Sequence, residues 1–465
     1  MIDDNSFSSE VRTVVQVAAF LDELKHSAAT LSGQIAASQR GYFTPDEEDA
    51  TRALLVSYWQ SRNALHELIQ TCRDMDETGE QRQPAVFLTA FAASLVLIDA
   101  ARFLREQVHD NRLVRRKLNE PAVEFGIPGG VYDTVQKALV SARYAWHLYY
   151  AIEYFLANEG GLREFAQGTQ FDELLEIIDR LRHRLDVSVS QFARAKLKTR
   201  SSQFFRRLGR DIFGRAIYGL QKFSGTVVAD KFVRRGHVPG LPAAVMVEVS
   251  SLLRPGDVLI VRKEYALTNY FLPGYWPHAA LCLGTAAQLE QLGLRQHANL
   301  DRHWKAFESI DAPDRPRCLE SMKDGVHVRP LSSPLASDSV VILRPQLADP
   351  EIARALSRSL AHAGKPYDFG FDFRRADRLV CTEVVYRAYD GVGGLTVPLT
   401  TRAGRPTLAG RDLIRIGCQR QGFAPIAVFA PRFGDNVVYS DEATEVMRRG
   451  ERWEESTSPQ AHPRG

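Results

Sequence analysis

Cysteine is scarce in this chain, and none of it is paired at close spacing. Five cysteines, at 72, 282, 318, 381 and 418, are scattered over 465 residues, which excludes a disulfide framework and a CxxC zinc knuckle and predicts a reducing, cytoplasmic setting. A signal-peptide pattern is also lacking: Met-Ile-Asp-Asp-Asn-Ser is acidic, with neither a basic n-region nor an apolar h-region, so no exported form is predicted. Long apolar runs are few. The most apolar window, Pro84 to Ile98, is followed by Asp99 and Arg102 and falls short of the ~20 residues a spanning helix needs, which predicts a buried helix. Excess charge of one sign is absent too: 59 Lys and Arg against 56 Asp and Glu leave a net charge of +3, and no nucleic-acid partner is predicted. No unit recurs at a fixed period, so a solenoid is not supported.

What is present divides the chain in two. From residue 10 to about 223 nearly every stretch has helical periodicity. Val14, Val17, Leu21, Leu24, Ala28, Leu31 and Ile35 form a seam of three- and four-residue steps that could pair within the chain or between copies, as in a homo-oligomer. Thr44-Pro45-Asp46-Glu47 announces a helix with a Thr cap, Pro at its first position and Glu three residues on. Phe171, Leu174, Leu175, Ile178, Leu181 and Leu185 make a further stripe. Between 194 and 220, Arg194, Lys196, Lys198, Arg200, Arg206, Arg207, Arg210 and Arg215 face only Asp211, and an apolar stripe runs through the same stretch. Such a basic amphipathic helix suits an anionic membrane surface, a peripheral association, or simply the solvated face of a bundle. Gly225, Gly236, Pro239, Gly240 and Pro242 then break the pattern.

Short β-type runs follow: Asp257 to Arg262, Ala279 to Gly284, Val326 to Leu331, Val340 to Leu343 and Ile426 to Ala430, with helices expected at Pro350 to Ala363 and from Cys381. This is α+β with a mostly antiparallel sheet. Cys381 falls at the first turn of a short helix whose inward face also carries Val384, Val385 and Ala388, with Asp377 placed to serve the exposed amides. A thiol there meets the positive end of the helix dipole, which favours thiolate. The same position suits a buried structural cysteine, and the residues alone leave both readings open. His278 begins a strand after a turn, and Glu320 sits among apolar residues on another. Cysteine, histidine and a carboxylate are the three groups a thiol nucleophile needs: attacker, base and a group to orient the base.

Taken in order, Leu253-Arg-Pro-Gly-Asp-Val-Leu-Ile260, Trp276-Pro-His-Ala-Ala-Leu-Cys-Leu-Gly284, Cys318-Leu-Glu-Ser with Gly325-Val-His-Val-Arg-Pro-Leu331, Gly364-Lys-Pro-Tyr-Asp-Phe-Gly-Phe-Asp372 and Val380-Cys-Thr-Glu-Val-Val385 resemble the permuted papain-like amidases of the YaeF/YiiX type, among the NlpC-like cysteine hydrolases. The resemblance covers about 250–432. It implies a circular permutation with the histidine strand ahead of the cysteine helix, Cys381 as nucleophile with its own backbone N–H as oxyanion donor, His278 as general base and acid, Glu320 as the group that orients His278, and no metal or organic cofactor. Thr382 stands where the family often has Ser, and Tyr367 and Asp368 match a segment near the site without an assigned step.

The chain is thus expected to be multidomain: an N-terminal all-α helical bundle over 1–223, a linker over 224–249, an α+β circularly permuted papain-like (NlpC-like) domain over 250–432, and a charged, disordered tail over 433–465. The expected activity is cleavage of an amide in a small molecule or peptide. A lipid-directed acyltransferase or thioesterase taking an acyl-lipid, and a silent docking module, are the other two classes the pattern admits.

Overall fold

The computed structural model describes residues 7–34, 37–76, 83–108, 110–122, 125–140, 142–185, 237–264, 274–296, 304, 307–308, 310, 312, 314–402 and 404–457. The basic stretch at 194–220 and the first part of the expected linker lie outside the described residues. The chain divides into two compact units, Met1–Val123 with Ile127–Phe232, and Val233–Gly465 with Glu124–Gly126.

The first unit is helical. It comprises α1 (Ser8–Gln34), α2 (Ala37–Arg40), α3 (Pro45–Asp76), α4 (Gln83–Val108), α5 (Arg112–Leu118), α6 (Val131–Val140), α7 (Ala142–Ala166) and α8 (Asp172–Leu181). The expected capping box opens α3, with the Glu47 amide donating to Thr44 Oγ1 at 3.4 Å and the Thr44 amide to Glu47 Oε2 at 2.9 Å. Val14, Val17 and Leu21 of the α1 seam are buried inside this unit, and so are Phe171, Leu174, Leu175, Ile178 and Leu181 of the α8 stripe. The apolar window becomes α4. Pro84–Val108 is long and apolar enough to cross a membrane, yet 94% of an apolar 18-residue window within it is buried, as in a core helix. Asp99 is tolerated in the core because Lys25 and Arg184 both pair with it, Arg184 Nε at 2.6 Å. Leu24, Leu55, Tyr58, Ala100, Leu118 and Val135 help to line a cavity of about 90 Å³. At ~24 cal/mol per Å³, such a void costs about 2 kcal/mol.

The second unit is built on a sheet. After α9 (Ala243–Leu252) come β1 (Val258–Arg262), β2 (His278–Gly284), α10 (Ala286–Gln291), β3 (Arg317–Met322), β4 (Gly325–Pro330), α11 (Ser332–Leu335), β5 (Ser339–Pro345), α12 (Asp349–Leu360), α13 (Cys381–Tyr389), β6 (Thr400–Arg402), β7 (Arg405–Thr407), α14 (Gly410–Cys418), β8 (Phe423–Phe429), β9 (Val438–Tyr439) and α15 (Ser440–Thr457). The strand order is β4-β3-β2-β1-β5-β8-β9, and every pairing in it is antiparallel. β1 is buried at all five positions because both faces of the sheet are covered. Val258 and Ile260 join the core beneath α12, α13 and α14, whereas Leu259 and Val261 join that beneath α9 and α11.

Two boundaries differ from expectation. The stretch expected as a linker to residue 249 ends in α9: beyond the helix-breaking Pro239, Gly240 and Pro242, with Pro242 at the N-cap, Val245 and Val249 reach the core one turn apart. The tail expected to be disordered from 433 contributes β9 and α15, since Ala443, Val446 and Met447 form an i, i+3, i+4 stripe that is buried. The residues beyond 457 lie outside the described set.

Candidate active site

β2 and β3 bring the first two candidates together. Their register pairs Leu281 with Leu319, so Ala280 falls opposite Glu320 and His278 is its diagonal neighbour, within reach of long side chains. His278 Nε2 and Glu320 Oε2 are 2.8 Å apart. Glu320 is 1% exposed, a setting that a lone carboxylate would not tolerate. Its other oxygen accepts a hydrogen bond from Ser333 Oγ of α11 and lies 3.4 Å from Arg329 Nε of β4. Burial alone would raise this carboxyl, but His278, Ser333 and Arg329 together hold it below the usual glutamate value.

The third candidate arrives on α13. Val380 is extended, at φ −86° and ψ 169°, and provides no side-chain cap. The Glu383 and Val384 amides turn back to the Val380 carbonyl, at 3.1 and 3.3 Å, leaving Cys381 and Thr382 at the open, positive end of the helix. Asp377, expected to serve these amides, is instead held by Arg375 at 2.7 Å and Arg378 at 3.2 Å. Two guanidiniums so near in sequence are stronger partners for a carboxylate than amides further along the chain. The approach to Cys381 is fixed from three sides: Ser321 Oγ donates to the Leu379 carbonyl at 2.6 Å, the Leu379 amide to Pro366 at 3.0 Å, and the Asp368 amide to Leu379 at 3.3 Å. Ser321 follows Glu320 directly, so one strand positions both the carboxylate and the start of the cysteine helix.

Nε2 of His278 is engaged by Glu320, which leaves Nδ1 for another partner, and His278 and Cys381 are near enough for each to shift the other's proton affinity. Burial is the largest influence on both groups and works against charge on each. For His278 it is outweighed by Cys381 and Glu320, and the imidazole rises to about 10. For Cys381 it is outweighed by the His278 charge and hydrogen bond, with further hydrogen bonds from the Ala279 and Thr382 backbone, and the thiol falls below its ordinary value. The two shifts run in opposite directions, each favouring the charged form of its group. The other four cysteines all move the opposite way, chiefly by burial: Cys418 to about 11, Cys282 to about 12, and Cys72 and Cys318 further still.

The surroundings include groups to which sequence reasoning gave no role. Ser333 and Arg329 support Glu320 from neighbouring elements, and no spacing rule links them to it. Tyr367, in a matched segment but without a step assigned, lies close enough that the Cys381 charge, after burial, helps push its phenol well above the usual value; the hydroxyl stays protonated. Gly410, at the start of α14, is demanded by packing: a Cβ there would fall 2.0 Å from the Trp276 carbonyl oxygen, two residues before His278.

The chain matches no curated protein and no solved structure. Residues 252–414, which include His278, Glu320 and Cys381, match the family described as "Permuted papain-like amidase enzyme, YaeF/YiiX, C92 family", a span that ends 18 residues short of the 432 expected from the sequence resemblance. The C-terminal region of this chain therefore carries a permuted papain-like domain, similar over 252–414 to the YaeF/YiiX amidases.

Proposed function

We propose that the C-terminal unit is an NlpC-like cysteine hydrolase that cleaves an amide bond through an acyl-enzyme on Cys381. The observation that carries this reading is geometric: Cys381 opens a helix with no side-chain cap, and His278 Nε2 stands 2.8 Å from the buried Glu320 carboxylate, while Cys381 alone among the five cysteines is shifted toward thiolate. In this mechanism the thiolate attacks the carbonyl carbon, forming the C–S bond and placing negative charge on the carbonyl oxygen. The Cys381 backbone N–H at the uncapped helix start is the donor to that oxyanion, a contribution typically of ~3 kcal/mol. The His278 imidazolium gives its proton to the leaving amine as the C–N bond breaks. His278, now neutral, takes a proton from water, and the resulting hydroxide attacks the thioester, releasing the acid and restoring the ion pair. Glu320 holds the ring in orientation and stabilises its charged form.

The pH window follows from the two shifts. Activity rises as pH passes the lowered thiol value and is lost as pH climbs through about 10, where His278 gives up the proton needed by the leaving group. A direct test mixes the protein with a p-nitrophenyl ester and follows p-nitrophenolate with intact mass. The expected result is a stoichiometric burst with an acyl adduct on Cys381 that is absent in Cys381→Ala. A burst that persists in Cys381→Ala would place the chemistry elsewhere.

A further inference from the structure

The helical unit encloses a space that its own side chains neither fill nor satisfy. The cavity of about 90 Å³ lies among α1, α3, α4, α5 and α6, with Leu21, Tyr58, Ala100 and Tyr132 in its walls. Leu24, Leu54 and Phe103 line it too and are only half-buried, so its apolar surface continues to the outside of the unit. A cavity with apolar walls excludes water and accepts an apolar guest. A methylene needs about the room of one water, ~30 Å³, so roughly three chain carbons fill this one.

Two donors at one wall break the apolar pattern. Tyr132 of α6 is 3% exposed, and its buried hydroxyl has no hydrogen-bond partner among the described residues. The Arg115 guanidinium of α5 lies over the same ring, 5.7 Å from its centroid. Its Nη2 reaches Asp133 at 3.3 Å, but its buried Nε is also unpartnered among the described residues. Buried donors without an acceptor are costly, and two of them on stacked neighbours call for one acceptor group between them. Lys25, the cation that lines the cavity, is already held by Asp22 and Asp99. The demand for an acceptor therefore falls on the wall formed by α5 and α6, where exposed Arg112 and Arg116 add positive charge that draws an anion.

We propose that this cavity is a binding site for an alkyl carboxylate, whose chain occupies the apolar space while its carboxylate accepts from the Tyr132 hydroxyl and Arg115 Nε. The site belongs to the helical unit and does not rest on Cys381 being the nucleophile. One ligand answers both observations: the chain replaces a void that costs stability, and the carboxylate supplies the acceptor that the two donors lack.

The test titrates the full chain with sodium acetate, propionate, butyrate, hexanoate and octanoate, followed by ligand-observed NMR. Affinity is expected to rise about fourfold per methylene, the gain from taking one CH₂ out of water, and to level off after about three chain carbons, when the cavity is full. Tyr132→Phe should bind butyrate about tenfold more weakly, the loss of one hydrogen bond to a charged group, and keep the increment per methylene. Its unfolding midpoint should be no lower than that of the wild type, because the hydroxyl it loses is unpaired. Ala100→Leu should remove the increment; Ala28→Leu, at the half-buried rim, makes the same test if Ala100→Leu does not fold. Absence of saturable binding by every acid, the result if a water serves the two donors, overturns the proposal, as does affinity indifferent to chain length. Affinity unchanged in Tyr132→Phe overturns the carboxylate contact. An increment that survives in the leucine variants overturns the cavity and places the acid elsewhere on the chain, the Cys381 site included.

Discussion

Removing the charge of Glu320 while keeping its shape tests how the ion pair is sustained. In Glu320→Gln the side chain can still accept from His278, but the carboxylate 2.8 Å from the imidazole is gone. Opposite charges centred ~4 Å apart in an effective dielectric of ~20 attract by about 4 kcal/mol, equivalent to about 3 pH units of imidazole basicity. His278 stands at about 10, raised first by Cys381 and then by Glu320, so the loss lowers its ionisation from that value and weakens the charge that favours the Cys381 thiolate. Arg329 keeps a partner in Asp324 at 2.6 Å, which limits the structural damage. Alkylation of Cys381 by iodoacetamide across pH 5 to 9 is the assay. We expect labelling at pH 6 to 7 to fall at least about tenfold, with the acid limb moved upward. A variant that folds, judged by far-UV circular dichroism, and labels at the wild-type rate with an unmoved acid limb would refute the electrostatic account.

Other consequences follow from particular residues. Ser321→Ala removes a fully buried hydrogen bond to Leu379 and should cost about 1 kcal/mol, seen as a lower midpoint in urea. Gly410→Ala must displace the Trp276 backbone, so both thermal stability and the Cys381 labelling rate should drop; retention of both would show that the approach at Gly410 is slack. Glu383, fully buried and held only through one oxygen by Arg387, is raised by burial from 4.5 to about 8. Its proton therefore contributes stability that is complete below pH 4.5 and lost as pH rises through about 8; Glu383→Gln should flatten the Tm profile over that range. Ala100→Leu fills part of the cavity in the helical unit and should raise Tm by a few degrees, against a void that costs about 2 kcal/mol.

The sheet and its helices were legible because β-branched runs and turn residues mark them directly: Asp257 to Arg262 and Ala279 to Gly284 became β1 and β2 within one residue. Cys381 at a helix start was legible for the same local reason. What could not be read was set by contacts remote in sequence. Ser333 and Arg329 reach Glu320 only because β3, β4 and α11 fold together. Asp377 misled because its nearest cations, Arg375 and Arg378, compete for it over a shorter path than the helix amides. The last helix was hidden because Ala443, Val446 and Met447 are three apolar residues among many charges, enough to bury one face but too few to dominate the composition. In the helical half, periodicity identified stripes but not their depth: α3 buries Gln60, Arg62, Asn63 and His66 as well as its apolar residues, since it is enclosed on nearly every side.

The most direct test of the central claim is intact-mass labelling of the wild-type protein with a thiol-directed electrophile, beside Cys381→Ala and His278→Ala, from pH 5 to pH 9. An activated thiolate predicts fast labelling at one site, lost in Cys381→Ala and slowed at low pH in His278→Ala. Slow labelling spread over several cysteines, indifferent to His278, would contradict the account.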